Sequence, residues 1–326
     1  MTTMALEVRD LTVTFPFGDA RIPVVDHVDL SVAPGETLAL VGESGCGKSM
    51  TTLALMRLVP RPGRIESGSV RLAGEELLDL PVAAMRRVRG GRMALIFQEP
   101  MTSLNPVVRV GVQVVEAIRL HESLSTAAAR ARARELFVRV GIPDAAARLD
   151  AYPHQLSGGL RQRVMIAMAV ATRPSVLIAD EPTTALDVTI QAQILALLRE
   201  LQREEGTAIL LITHDLGVVA GCADRVAVMY AGRIVEQASC ADLLAAPRHP
   251  YSRGLLAATP AAVRPGERLA EIPGSVPGAA QWGHGCRFAP RCPLAVETCR
   301  SDVPPLTAVT DGWRVACPVT SERDRR

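Results

Sequence analysis

Lysine is almost absent. Of the 36 Lys and Arg residues one is a lysine, Lys48, and arginine fills the basic role everywhere else. Aromatics make up only 3% of the chain, so the core must be aliphatic. The base-stacking platforms that single-stranded nucleic acid needs are therefore not expected. A net charge of +2 gives no reason to expect a polyanionic partner such as nucleic acid. No apolar run approaches the roughly 18–20 residues of a membrane span, and the N-terminus carries no apolar signal-peptide core. The expectation is a chain kept in the cytoplasm unless a partner holds it at a membrane. What is present is globular: 326 residues, 48% hydrophobic and 21% charged, enough for one large or two modest domains.

The lone lysine lies in Gly42-Glu43-Ser44-Gly45-Cys46-Gly47-Lys48-Ser49. This fits G-x-x-x-x-G-K-[ST], a phosphate-binding loop. The preceding run, residues 37–41, is short, apolar and bounded by Pro34-Gly35, and it reads as a buried strand. The run from Met50 to Leu58 has helical spacing and ends before Pro60 and Pro62. Strand, glycine loop and helix thus stand in the required order. The glycines let backbone N–H groups turn around a phosphate, and the helix N-terminus at Met50 adds its positive end. Lys48 is expected on the β- and γ-phosphates of a nucleotide and the Ser49 hydroxyl on Mg²⁺. A guanidinium is too broad and planar for that cage, which is why the lysine survives there.

Residues 4–14 alternate as a strand, 15–19 turn the chain, and 23–32 read as a second strand. Phe15 or Phe17 could either stack on an adenine ring or pack on the sheet. Residues 68–72 and 93–97 look like further strands, the second delivering Gln98. The pattern becomes helical from Val107 to Leu149, with the Ala/Arg-rich piece 126–139 an exposed helix. Leu156-Ser157-Gly158-Gly159 then opens another apolar helix, a second N-terminus able to face an anion. Residues 175–180 form a buried strand ending in Asp180 and Glu181. In a P-loop protein the first carboxylate is expected in the Mg²⁺ shell, and the second is placed to activate water. A helix at 188–202 and a strand at 208–213 follow, and His214 comes next.

The phosphate loop, Gln98, Leu156-Ser157-Gly158-Gly159, Asp180-Glu181, Ala185-Leu186-Asp187 and His214 stand in the order found in ABC-transporter ATPase subunits, which residues 4–240 resemble. The resemblance implies an α/β fold: a P-loop NTPase core of the ABC ATPase kind with an N-terminal antiparallel β-subdomain. It also implies a helical subdomain near 107–173. Residues 4–245 would form the ATP-binding domain, and 246–326 a small cysteine-bearing tail. It places Ser49, Gln98 and Asp180 around Mg²⁺, with Glu181 as general base and His214 on the γ-phosphate and the attacking water. Ser157, Gly158 and Gly159 would complete the site of an opposite subunit, with Asp187 at the dimer seam. Leu160 stands where the family has glutamine.

Residues 96–106, 152–155 and 182–189 resemble more narrowly the dipeptide, oligopeptide and nickel importer ATPases. So do Arg248-His249-Pro250-Tyr251 and the run from Gly285 to Pro293. Leu160 makes the chain look like the first, "D"-type subunit. It would work in a heterodimer with a second ABC ATPase subunit, beneath two membrane permeases and an extracytoplasmic peptide-binding protein, on the cytoplasmic face of the membrane. Soluble translation and DNA-repair ABC ATPases fit less well, since the chain has one cassette and no long coiled coil or zinc hook.

Four of the seven cysteines, Cys286, Cys292, Cys299 and Cys317, fall in the tail, spaced C-x5-C-x6-C-x17-C. Residues 260–318 are rich in Pro and Gly with little periodicity, and this reads as a segment without a core of its own. A metal staple would explain its order. Four thiolates suit Zn²⁺ or a [4Fe–4S] cluster. Close C-x2-4-C pairs are missing and the resemblance points to a cluster, while reduced structural thiols are the third reading.

Overall fold

The computed structural model describes residues 3–184, 186–259 and 270–323. By contact the chain forms two compact units that alternate along the sequence. One comprises residues 1–5, 33–36 and 79–210, and the other 6–32, 37–78 and 211–326. The strand Ala208–Thr213, buried at all six positions, contributes its first half to one unit and its second half to the other.

In the phosphate-loop unit, strands Leu6–Phe17 and Ala20–Val32 form an antiparallel hairpin, extended by Arg64–Leu72 and the short Glu75–Glu76. Leu6, Val8, Leu11 and Val13 are buried from the first strand, and Val25, Val28, Leu30 and Val32 from the second. Register shifts between Val8 and Leu11 keep both apolar sets on the inner face across the bend. The strands run closer to the turn than the sequence pattern implies: Phe17 pairs with Ala20, leaving Gly18 and Asp19 as the turn. Separately, Thr37–Val41 runs parallel to Arg225–Tyr230. All five of its residues are buried, as a two-sided parallel strand requires. Arg225–Tyr230 returns antiparallel as Arg233–Ser239 through Ala231 and Gly232, at φ 45° and 82°. Two successive positive φ values mark the tight hairpin turn that matches strand twist. Arg233–Ser239 pairs in turn with Trp313–Val315, and that strand with Thr307–Thr310.

The other unit contains the parallel pair Met93–Ile96 and Val176–Asp180. Its helices include Val110–Arg119, Thr126–Arg139, Gly158–Val170 and Val188–Glu205. The Ala/Arg-rich helix starts where Ser125 accepts a hydrogen bond from the Ala128 N–H, and it buries Ala129, Ala133, Leu136 and Phe137. Its arginines face solvent or form ion pairs, Arg130 with Asp150 at 2.7 Å and the half-buried Arg139 with Glu204 of the helix Val188–Glu205, also at 2.7 Å. The last helix stops at Gly206, φ 67°, a left-handed C-cap. Among the described residues no helix is long and apolar enough to cross a membrane.

The tail has no separate core, as expected, but it shares one with the neighbouring strands. Phe288 and Trp313 are buried with Tyr251, Tyr230, Val235 and Leu243 in one cluster, and Cys286 and Cys292 pack against it. Tyr230 and Phe288 meet edge to face with centroids 5.2 Å apart. Pro- and Gly-rich sequence hid this because the tail's few apolar residues insert among those of neighbouring strands instead of repeating along the chain.

Candidate functional site

The loop Gly42–Gly47 joins the buried strand Thr37–Val41 to the helix Lys48–Leu55. A Cβ at Gly42 would stand 2.2 Å from the Met229 carbonyl oxygen, so the strand-to-loop exit admits only glycine. Gly47, at φ 110°, caps the helix in a backbone conformation that other residues resist. Lys48 is 5% exposed. Its Nζ donates to the Gly42 and Glu43 carbonyls at 2.6 and 3.0 Å. A compact ammonium on a flexible stem can make that fold-back within a tight ring. Burial pushes the Cys46 thiol up, with Lys48 partly offsetting it. Ser44, Gly45 and Ser49 are exposed on the loop's outer side, and Met50 is half-buried. The same unit carries His214, exposed directly after the strand Ala208–Thr213. Asp215 caps the next helix by accepting from the Gly217 N–H at 2.7 Å.

The remaining expected residues lie in the other unit. Asp180 ends its strand at 8% exposure, and Glu181 follows with φ 45°, a conformation that costs a non-glycine residue energy. The Glu181 Oε2 accepts from Gln98 Nε2 and from Thr184 Oγ1, each at 2.9 Å. Two donors from separate segments thus fix this carboxylate. Ser157 is the N-cap of the helix Gly158–Val170, its hydroxyl accepting from the Leu160 N–H at 3.4 Å. A Cβ at Gly159 would meet Ile190 Cγ2 at 2.8 Å, so that glycine allows two helices to approach. Asp187 is likewise a cap, accepting from the Ile190 N–H at 2.9 Å. Ala185, in the same motif, lies outside the described residues.

Of the two candidate adenine-stacking rings, Phe15 packs on Gly63, where a Cβ would fall 2.4 Å from the ring. Phe17 is 59% exposed and is the ring left at the surface.

The expected iron–sulfur cluster, and its zinc alternative, are corrected here. Among the described residues no group of three or more His, Cys, Asp or Glu could hold a metal ion. None of the seven cysteines forms a disulfide. Burial pushes the Cys286 thiol up to about 11 and raises that of Cys292 as well. Cys286 serves through its backbone, donating from N–H to the Cys299 carbonyl at 2.7 Å. Sequence spacing could not reveal that the aromatic cluster does the work assigned to a staple.

Sequence reasoning also missed a set of loop supports. Arg291 pairs with Glu43 at 2.7 Å, and the Tyr251 hydroxyl accepts from the Glu43 N–H at 2.8 Å. Asp26 binds both Arg233, at 2.8 Å, and Arg287. Burial would raise the Asp26 carboxyl, and the two guanidinium groups more than offset it and hold it below its ordinary value. Arg287 is itself brought down to about 10 by burial, with Asp26 opposing. Its guanidinium stacks on the Trp282 ring at 3.6 Å.

Comparison with known proteins agrees with this geometry. Residues 25–184 match the ABC transporter family, and residues 235–299 match the oligopeptide/dipeptide transporter C-terminal region. The chain is 50% identical over 312 residues to the dipeptide transport ATP-binding protein DppD of Escherichia coli strain K12, covering 96% of this chain and 95% of that one. It is 51% identical over 312 residues to the oligopeptide transport ATP-binding protein OppD of the same strain, covering 96% and 92%. Among solved structures, a dimeric post-hydrolysis state of the ATP-binding cassette MJ0796, bound to ADP and Pi, aligns with a TM-score of 0.65. That alignment has 27% identity and covers 72% of this chain and 98% of that one.

Proposed function

Because this chain belongs to the ABC transporter family as one of its ATP-hydrolysing subunits, we propose that it powers import of dipeptides and oligopeptides, working from the cytoplasmic face of the membrane. The peptide cargo is supported by DppD and OppD, whose names assign them dipeptide and oligopeptide transport. Its partners are a second ATPase subunit, two permeases and an extracytoplasmic peptide-binding protein. In this reading Gly42 to Met50 cradle the triphosphate, and Lys48 neutralises charge on the β- and γ-phosphates. Ser49, Gln98 and Asp180 offer a hydroxyl, an amide oxygen and a carboxylate, the all-oxygen donors that suit Mg²⁺. The ion supplies charge neutralisation at the phosphate oxygens. Glu181 takes a proton from water as its oxygen attacks the γ-phosphorus, and the bond to the bridging oxygen breaks to leave ADP. His214 orients that water. Ser157, Gly158 and Gly159 serve the partner's nucleotide, and Asp187 fixes the helix beside them.

The observation that carries this reading is Glu181. A carboxylate on a costly backbone conformation, held by Gln98 and Thr184, is a preset base and distinguishes a hydrolase from a nucleotide-binding module. Glu181→Gln keeps an acceptor for those donors but cannot take the proton. ATP turnover should fall about a thousandfold while ATP binding is retained. Near-normal turnover in that variant would overturn the assignment.

A further inference from the structure

The C-terminal segment reaches the phosphate loop directly at Glu43, through Arg291 and Tyr251, and indirectly at Cys46, through the Gly232 turn. Arg291, its side chain 6% exposed, donates from Nη1 and Nη2 to the two Glu43 carboxylate oxygens at 2.7 and 3.0 Å. The same guanidinium donates to the Ile272, Pro273 and Gly274 carbonyls, so it is aimed before it meets the loop. The buried Tyr251 hydroxyl accepts from the Glu43 N–H at 2.8 Å. Trp282 packs over the Ala231-Gly232 turn, where a Cβ on Gly232 would stand 2.5 Å from the ring. That glycine's N–H donates to the Cys46 carbonyl at 2.7 Å.

Glu43 and Cys46 bracket the variable half of the loop. Both are therefore held from outside, one by side chain and backbone, the other through its carbonyl. These contacts are not needed to anchor the tail, because Tyr251, Phe288 and Trp313 already share a core with Tyr230 and Val235. Their consequence falls on the loop. A phosphate cradle works only when its N–H groups converge, and a loop already held in shape loses less entropy when the ligand arrives. The pair also has an electrostatic effect. Glu43 places a carboxylate in the loop that receives a polyphosphate, and Arg291 cancels its charge.

We propose that the C-terminal segment is a clamp that presets the phosphate loop for ATP, with Arg291 as a positioning residue acting through Glu43. Linkage makes the coupling reciprocal, so ATP binding tightens the Trp282 contact in return. This rests on the loop being the ATP site.

The test uses the purified full-length chain, titrated with MgATP and followed by tryptophan emission and calorimetry. Wild type should show an emission change that Trp282→Phe removes. Arg291→Met should weaken ATP binding about tenfold, within the usual span of coupling free energies, and Arg291→Lys should lie between. Adding Glu43→Gln to Arg291→Met should recover part of the loss, since it removes the uncompensated carboxylate. A purely structural role for Arg291 would give no such recovery. In the assembled transporter the effect should fall on KM for ATP and leave kcat nearly unchanged. If Arg291→Met unfolds the tail, Glu43→Gln alone tests the clamp from the loop side and should weaken ATP by a smaller factor. Wild-type affinity in Arg291→Met, or in Glu43→Gln if that variant must replace it, overturns the clamp. So does a double variant weaker than Arg291→Met. Lys48→Ala separates the two claims: if it still binds ATP normally, the reading of the loop fails, whatever Arg291 does.

Discussion

A methyl group at position 47 would meet Met229 Cε and the Val24 carbonyl oxygen at 2.9 Å each, on a backbone at φ 110°. Gly47→Ala should therefore cost about 2 kcal/mol of stability from strain and overpacking together. The loss would be visible as a lower melting temperature, with ATP affinity falling alongside. A variant as stable as wild type would mean that the loop relaxes more easily than its close contacts imply. Gly42, Gly47, Lys48 and Ser49 were legible in the sequence because a phosphate loop is built from adjacent residues whose types are dictated by backbone shape. Arg291 was not legible. It meets Glu43 across 248 positions, and nothing in the local sequence of either residue names the other. The geometry of Glu181 was half-legible: the acid after the strand could be read, but its positive φ and its bond to Gln98 come only from the fold.

The helix Pro250–Ala257 begins with a buried histidine cap, and its stability should depend on pH. His249 Nδ1 accepts from the Tyr251 N–H at 3.1 Å, and burial lowers the imidazole to about 3. In the unfolded chain the same group takes a proton near its ordinary value of about 6.5. Between those values the unfolded state binds the extra proton, so stability is fully present above about pH 6.5 and falls as the pH drops. The slope from this residue is about 1.4 kcal/mol per pH unit. Melting temperature against pH should therefore flatten in His249→Asn, which keeps a capping acceptor that does not titrate. An unchanged slope would remove His249 from the account. At this scale the Ala/Arg-rich helix 126–139 and the strand 208–213 fall where the sequence places them, because their periodicity and caps are local. The tail did not, because its order comes from Phe288 and Trp313 joining residues of distant strands.

At the scale of the whole molecule, the order of motifs along the chain carried the family, and 50% identity to DppD over nearly the full length bears that out. The partition into two units was not legible. The phosphate loop and His214 fall in one unit, Gln98, Asp180 and Glu181 in the other, and only three-dimensional contact assigns them. The phosphate loop is what any nucleotide-binding module requires, and the base Glu181 at the strand end is what a hydrolysing subunit needs in addition. The direct measurement is uptake of a labelled dipeptide, a labelled oligopeptide and Ni²⁺ in cells lacking this gene, complemented with wild type or Glu181→Gln. Peptide uptake restored by wild type and not by Glu181→Gln is the predicted result. Restoration of Ni²⁺ uptake alone would contradict the peptide cargo, and peptide uptake restored equally by both forms would contradict an import driven by this subunit's hydrolysis.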